Sequence, residues 1–171
     1  MVEQEIKLAV TDPARFEAVA AAEEIRACSR GEERLVPMDA AYIDTAGLDL
    51  MHAGYAYRVR WEGDHWVATV KRAVADAGAD GYHRHEEWEA PVAGPEPDLA
   101  VFDDPELRSG LAAAAGERPL RTLFRVQVQR RVRDLLLEDG TQVEWAADRG
   151  EILSGEEREA LCEVELELKA G

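Results

Sequence analysis

Val2-Glu3-Gln4-Glu5-Ile6-Lys7-Leu8 lies at the start of the chain, and its alternation decides how the rest is read. Side chains switch faces at each residue of a strand, so Glu3, Glu5 and Lys7 share one face while Val2, Gln4, Ile6 and Leu8 take the other. Two carboxylates at i, i+2 lie about 7 Å apart, within reach of shared hard cations, and the lysine one pleat further can meet an anion. The same pattern also fits an ordinary half-buried strand that shows water a few charges. The other strands must choose between the two.

The last stretch mirrors the first. Residues 162–169 set Glu163, Glu165 and Glu167 against Val164, Leu166 and Leu168. Between the two, residues 55–61 put Arg58 and Arg60 on one face as an anion platform, with Tyr57, Val59 and Trp61 behind them. Gly63-Asp64 turns the chain back into residues 66–71, where Thr69 and Lys71 lie together. In residues 82–89, His83, His85, Glu87 and Glu89 oppose Tyr82 and Trp88. Residues 124–137 alternate Val126, Val128 and Val132 with Gln127, Gln129, Arg131 and Arg133. After the Asp139-Gly140 hairpin signal, residues 142–148 oppose Glu144 and Asp148 to Val143, Trp145 and Ala147. A further strand is expected over 40–44. Helices are expected over 11–28, begun by Thr11-Asp12-Pro13, over 98–115 with a break near Pro105, and briefly over 155–161; a loop fills 73–81.

Composition narrows the function. With 171 residues, 46% of them hydrophobic, the chain suits one domain with one well-buried core. No run approaches the ~18 apolar residues of a membrane span, and the N-terminus carries no basic-then-apolar leader, so a cytoplasmic, prokaryotic protein is expected. Cys28 and Cys162 have neither metal-ligand spacing nor the density of a disulfide scaffold and are read as reduced thiols. A net charge of −16 argues against nucleic-acid and anionic-membrane partners, because no general positive field draws a polyanion in. Any phosphate site must be local and enclosed.

Seven or eight strands, mostly hairpin-linked, thus each carry one apolar and one charged face. A sheet with one solvated face would mix in Thr, Ser and Asn. The nearly uniform charge predicts an α+β fold: a closed antiparallel β-barrel whose charged faces line a lumen and whose apolar faces pack against helices outside. Such a lumen is tolerable only when water, metals and anions satisfy it.

At this point the chain resembles the CYTH domains, or triphosphate tunnel metalloenzymes. The likeness rests on Glu3-x-Glu5-x-Lys7, Tyr42-x-Asp44-Thr45, Arg58-x-Arg60, Thr69-x-Lys71, Glu87-Trp88-Glu89, Glu144-x-x-x-Asp148-x-Gly150-Glu151 and Cys162-Glu163-x-Glu165-x-Glu167, and covers residues 1–171 as one domain. It implies an eight-stranded tunnel that hydrolyses or rearranges triphosphates with Mg²⁺ or Mn²⁺. Glu3, Glu5, Glu163 and Glu165 would hold metal with Asp148 and Glu144 assisting, and these four glutamates with Lys7 would form the catalytic set. Lys7, Arg58, Arg60, Lys71, Arg131 and Arg133 would clamp the triphosphate, with Glu87 and Glu89 beside it. Two departures stand out. By parity His85 takes the place of the arginine that usually precedes the fifth-strand glutamate, with Arg84 one position away, and Arg130 competes with Arg131 for the matching position in its strand. Members usually continue into a C-terminal helix beyond the last acidic strand, whereas this sequence stops at Gly171; a fragment of a longer protein bearing a polyphosphate-associated CHAD domain, or reduced activity, is the implied consequence.

Plainer readings accompany these. His83 and His85 are expected to line the lumen or a loop rather than form a transition-metal site, and Glu156, Glu157 and Glu159 to be a solvated helix face. The leading function is hydrolysis of inorganic tripolyphosphate. Thiamine triphosphatase, class IV adenylate cyclase and a non-catalytic polyphosphate-binding module are the alternatives.

Overall fold

The computed structural model describes residues 2–74 and 81–171, so the loop expected over 73–81 falls largely outside the described residues. Eight strands are present: β1 (Val2–Ala9), β2 (Ser29–Asp44), β3 (Tyr55–Glu62), β4 (Trp66–Ala73), β5 (Tyr82–Val92), β6 (Arg121–Leu136), β7 (Gln142–Ser154) and β8 (Glu157–Ala170). They close into a barrel in the order β1-β5-β4-β3-β2-β6-β7-β8, every neighbouring pair antiparallel. The alternation that predicts a charged tunnel has produced one. Closure falls on β1, which pairs β5 through Glu3 opposite His85 and β8 through Lys7 opposite Glu165.

Four helices lie outside the wall: α1 (Pro13–Ala20), α2 (Glu23–Cys28), α3 (Asp49–His52) and α4 (Pro105–Ala115). Asp12 caps α1, accepting from the Ala14 amide at 2.9 Å, and Asp104 caps α4, accepting from Glu106 and Leu107. The single helix expected over 11–28 is broken in two at Ala21-Ala22, and the helix expected over 155–161 does not form. There, Gly155 at φ +59° turns β7 directly into β8, and the pairing of Ser154 with Glu157 starts the ladder. Glu157 and Glu159 are therefore exposed positions of a strand, not one face of a helix. Among the described residues no helix is long and apolar enough to cross a membrane.

The cores sit between wall and helices. Ile43, Tyr57, Val59 and Val70, from the outer faces of β2, β3 and β4, pack against Leu50 of α3 and Phe102, Leu107 and Leu111 at α4. Phe16 and Ala20 of α1 cover Leu135, Trp145, Ala147 and Val164 of β6 to β8. Trp145 is fully buried and Phe16 nearly so, each such side chain contributing about 2–3 kcal/mol of burial. These helices decide which face of most strands points inward.

β6 reverses the expectation. Its outer residues Gln127 and Gln129 are exposed, and Arg131 and Arg133 both bind Glu33 of β2 on that same side. Val126 and Val128 face the lumen instead, beside Arg130. Over this stretch the outer surface meets water, and the polar face of the strand goes to it.

Candidate active site

Alternation carries the charged side chains of seven strands into one interior. The main opening, about 650 Å³, is lined by eight carboxylates, among them Glu3, Glu5, Glu87 and Glu165, and by six cations, Lys7, Arg58, Arg60, Lys71, Arg130 and Lys169. An adjoining recess adds the carboxylates of Asp148 and Glu163. Carboxylates outnumber cations, so the lining by itself does not neutralise its own charge.

Each cation rests on a carboxylate. Lys7 Nζ lies 2.5 Å from Glu165 and 3.8 Å from Glu163, and Lys71 Nζ lies 2.5 Å from Glu3 and 3.6 Å from Glu87. Arg60 binds Glu62 and lies 3.8 Å from Glu89. Arg58 lies 3.9 Å from Glu87, and its Nε is buried with no hydrogen-bond partner. Arg130 forks onto Asp148 through Nε at 2.8 Å and a terminal nitrogen at 2.6 Å, and reaches Glu165 at 2.7 Å. Such forked pairs fix geometry as well as charge.

Of the residues expected at the site, Glu3, Glu5, Lys7, Arg58, Arg60, Lys71, Glu87, Glu89, Glu144, Asp148, Glu163 and Glu165 are all brought to this interior. Arg131 and Arg133 are not. Both are held outside by Glu33, and the arginine that β6 sends into the interior is Arg130. The signal for Arg130 lay in the turn: counting back from Asp139-Gly140, Leu136 faces Gln142 and Arg130 faces Asp148. Asp44 of the Tyr42-x-Asp44-Thr45 motif is structural, since its carboxylate accepts from the amides of Thr45, Leu50 and Met51.

A family model for the CYTH domain matches residues 1–171. The chain belongs to the CYTH domain family. Solved structures agree in fold. A Bacillus halodurans protein named as a candidate adenylate cyclase is 16% identical over 97% of this chain and 80% of its own, with a TM-score of 0.58. A Hippeastrum protein, named as a candidate adenylyl cyclase and described as having a dominant triphosphatase activity, is 18% identical over 98% and 80%, with a TM-score of 0.56. The Mimivirus capping-enzyme triphosphatase is 10% identical over 98% and 81%, with a TM-score of 0.51.

Among the described residues of this CYTH tunnel, two groups have ligand atoms close enough to share one cation. Glu3, Glu5 and His85 form the first, and Asp148, Glu163 and Glu165 the second, the donor atoms of each lying within 4.8 Å of one another. Carboxylate oxygens are hard donors, and these sets fit a divalent cation. Burial would raise Glu165, but Arg130 and Lys7 outweigh it and hold its pKa at about 2. Burial, together with Glu165 and Asp148, raises Glu163 against the opposing pull of Lys7. Lys7 loses basicity to burial and regains more from Glu165 and Glu163, so it stays a cation well beyond neutral pH. Burial and Lys71 lower His85, favouring its neutral ring.

Proposed function

We propose that this CYTH domain is a metal-dependent phosphohydrolase of the cytoplasm that cleaves a triphosphate to diphosphate and phosphate, with inorganic tripolyphosphate as substrate. One observation carries the reading: Lys7, Arg58, Arg60, Lys71 and Arg130 converge from four strands on a closed lumen that also holds two carboxylate groups of cation-binding geometry. A polyanion entering there meets cations already positioned, and exchanges phosphoryl oxygens for the carboxylates they rest on. Glu3 and Glu5, with Asp148, Glu163 and Glu165, would hold Mg²⁺ or Mn²⁺, which when bound neutralises non-bridging oxygens and lowers the pKa of water. Arg58, Arg130 and Lys7 keep their charge throughout and stabilise the departing diphosphate. Glu87 lies outside both groups, is raised by burial with Glu3 and Glu89 beside it, and sits 3.6 Å from Lys71 and 3.9 Å from Arg58. In this reading it accepts the proton of an attacking water.

The lining favours an inorganic substrate. The recess where its apolar side chains Met38, Ala40, Val126 and Val128 sit is shared with charged ones such as Arg130 and Asp148 and measures about 40 Å³, far below the ~300 Å³ of a site that encloses a ring system. A second reading, an aromatic triphosphate such as a thiamine or nucleoside ester, is favoured by Tyr42, which borders the lumen and stacks on Phe124 with ring centroids 4.6 Å apart. Phosphate release from tripolyphosphate, ATP and thiamine triphosphate, with and without Mg²⁺ or Mn²⁺, tests both. Metal-dependent release fastest from tripolyphosphate is expected. Preference for an ester that disappears in Tyr42→Ala would establish the second reading, and binding without release would leave a polyphosphate-binding module.

A further inference from the structure

We infer that His85 is a metal ligand, and that the Glu3, Glu5 and His85 group selects a divalent transition metal over Mg²⁺. The inference deepens the phosphohydrolase reading by naming what sets its metal preference. Closure of the barrel sets Glu3 directly across the β1–β5 ladder from His85, and Glu5 across from His83. A ring nitrogen of His85 and one oxygen from each glutamate lie mutually within 4.8 Å.

Two further observations point to a missing partner. Glu5 is only 7% exposed, lines the lumen, and has no hydrogen bond or ion pair among the described residues. A carboxylate buried to that degree with no hydrogen bond or ion pair, on which Lys7 acts only at longer range, is one that a bound cation would satisfy. His85 likewise keeps its Nδ1 buried with no hydrogen-bond partner. Lys71 competes for Glu3 at 2.5 Å, and Glu87 lies 3.6 Å from the same ammonium and can receive it when a cation arrives. His83 stacks against the His85 ring at a centroid distance of 5.8 Å and an interplanar angle of 11°, which limits how far that ring can turn.

The chemistry of the donors sets the choice of metal. An all-oxygen site suits Mg²⁺, which is hard, demands near-octahedral geometry and sheds water reluctantly. Exchanging one oxygen for imidazole nitrogen favours ions further along the divalent transition series, Mn²⁺ and more strongly Co²⁺. Three protein donors also leave positions open for phosphoryl oxygens and water.

The test uses the full chain, titrated calorimetrically with Mg²⁺, Mn²⁺ and Co²⁺, and electron spin-echo spectroscopy of the Mn²⁺-loaded protein. Affinity rising from Mg²⁺ to Mn²⁺ to Co²⁺ and a nitrogen modulation on bound Mn²⁺ are expected. In His85→Gln the modulation should vanish and Co²⁺ affinity fall by about tenfold or more, with Mg²⁺ affinity changed less than about threefold. In His83→Gln the modulation should persist. A modulation that survives in His85→Gln, disappears in His83→Gln, or is absent from the unaltered protein overturns the assignment, as does an unchanged Co²⁺ to Mg²⁺ ratio in His85→Gln. Tripolyphosphate turnover on the same samples separates the two claims: turnover without the nitrogen signal sinks His85 alone, and the signal without turnover sinks the phosphohydrolase reading while leaving His85 as ligand.

Discussion

The two carboxylate groups of the tunnel are built from similar side chains and are in opposite electrostatic states. In the group of Asp148, Glu163 and Glu165, Arg130 forks onto Asp148 and reaches Glu165, and Lys7 binds Glu165 as well. In the group of Glu3, Glu5 and His85, Lys71 meets Glu3, and among the described residues no cation forms an ion pair with Glu5. The first is a set of carboxylates already paired with side-chain cations. The second is a set of donors short of a cation. Similar residue types therefore end in different electrostatic surroundings, and the difference lies in which strand lies opposite.

Arg130→Ala should show the largest effect, because it leaves Asp148 and Glu165 buried with too little positive charge. A loss of about 3–5 kcal/mol in chemical denaturation is expected. A loss below 1 kcal/mol would mean that side-chain cations do not saturate the group of Asp148, Glu163 and Glu165 in solution. Next come Glu5→Gln and Arg58→Ala, each expected to lower tripolyphosphate turnover by about 100-fold or more with the fold retained by circular dichroism. The first should act through metal and the second through substrate, so excess Mn²⁺ should leave Arg58→Ala unrescued. Normal turnover in either would count against the tunnel as the site.

Acid stability sharpens the same contrast. Glu165 has its pKa depressed in the folded state, so its stabilisation is complete above the ordinary glutamate range and is lost as pH falls from about 4.5 towards 2. In metal-free protein, Glu165→Gln should flatten the unfolding free energy over that window; an unchanged slope would show that Arg130 and Lys7 do not hold it ionised. The smallest effects belong to the outer face of β6. Arg131→Ala and Arg133→Ala should each change stability by no more than about 1 kcal/mol and leave turnover intact, since they meet Glu33 outside the lumen. Loss of turnover in either would place the clamp on the wrong face.

Much of this was legible one strand at a time. In β1, β3, β4, β5, β7 and β8 the charged parity is the inward parity, and Glu3, Glu5, Arg58, Arg60, Lys71, Glu87, Glu144, Asp148, Glu163 and Glu165 follow from it. In β6 the same reasoning points the wrong way, because the adjacent arginines 130 and 131 satisfy either parity and Gln127, Gln129, Arg131 and Arg133 look like a lumen face. The break at Ala21-Ala22 and the turn at Gly155 were likewise decided by packing and pairing rather than by propensity. Gly150 shows a further limit: a Cβ there would lie 1.9 Å from the Gln127 carbonyl oxygen, a close backbone approach visible only once β6 and β7 are paired.

The sequence by itself determined the central stretch of each strand, its two-faced character and hence the closed, charged tunnel, since pleat alternation is local and each strand carries its own period, while the extension of β2 back to Ser29 and of β8 back to Glu157 came from pairing. Only the tertiary structure decided which face of β6 looks inward, which cation rests on which carboxylate, and that His85 joins Glu3 and Glu5. Those depend on what covers a strand from outside and on a register set by barrel closure between segments far apart in the chain, and neither is encoded in the period of any one strand.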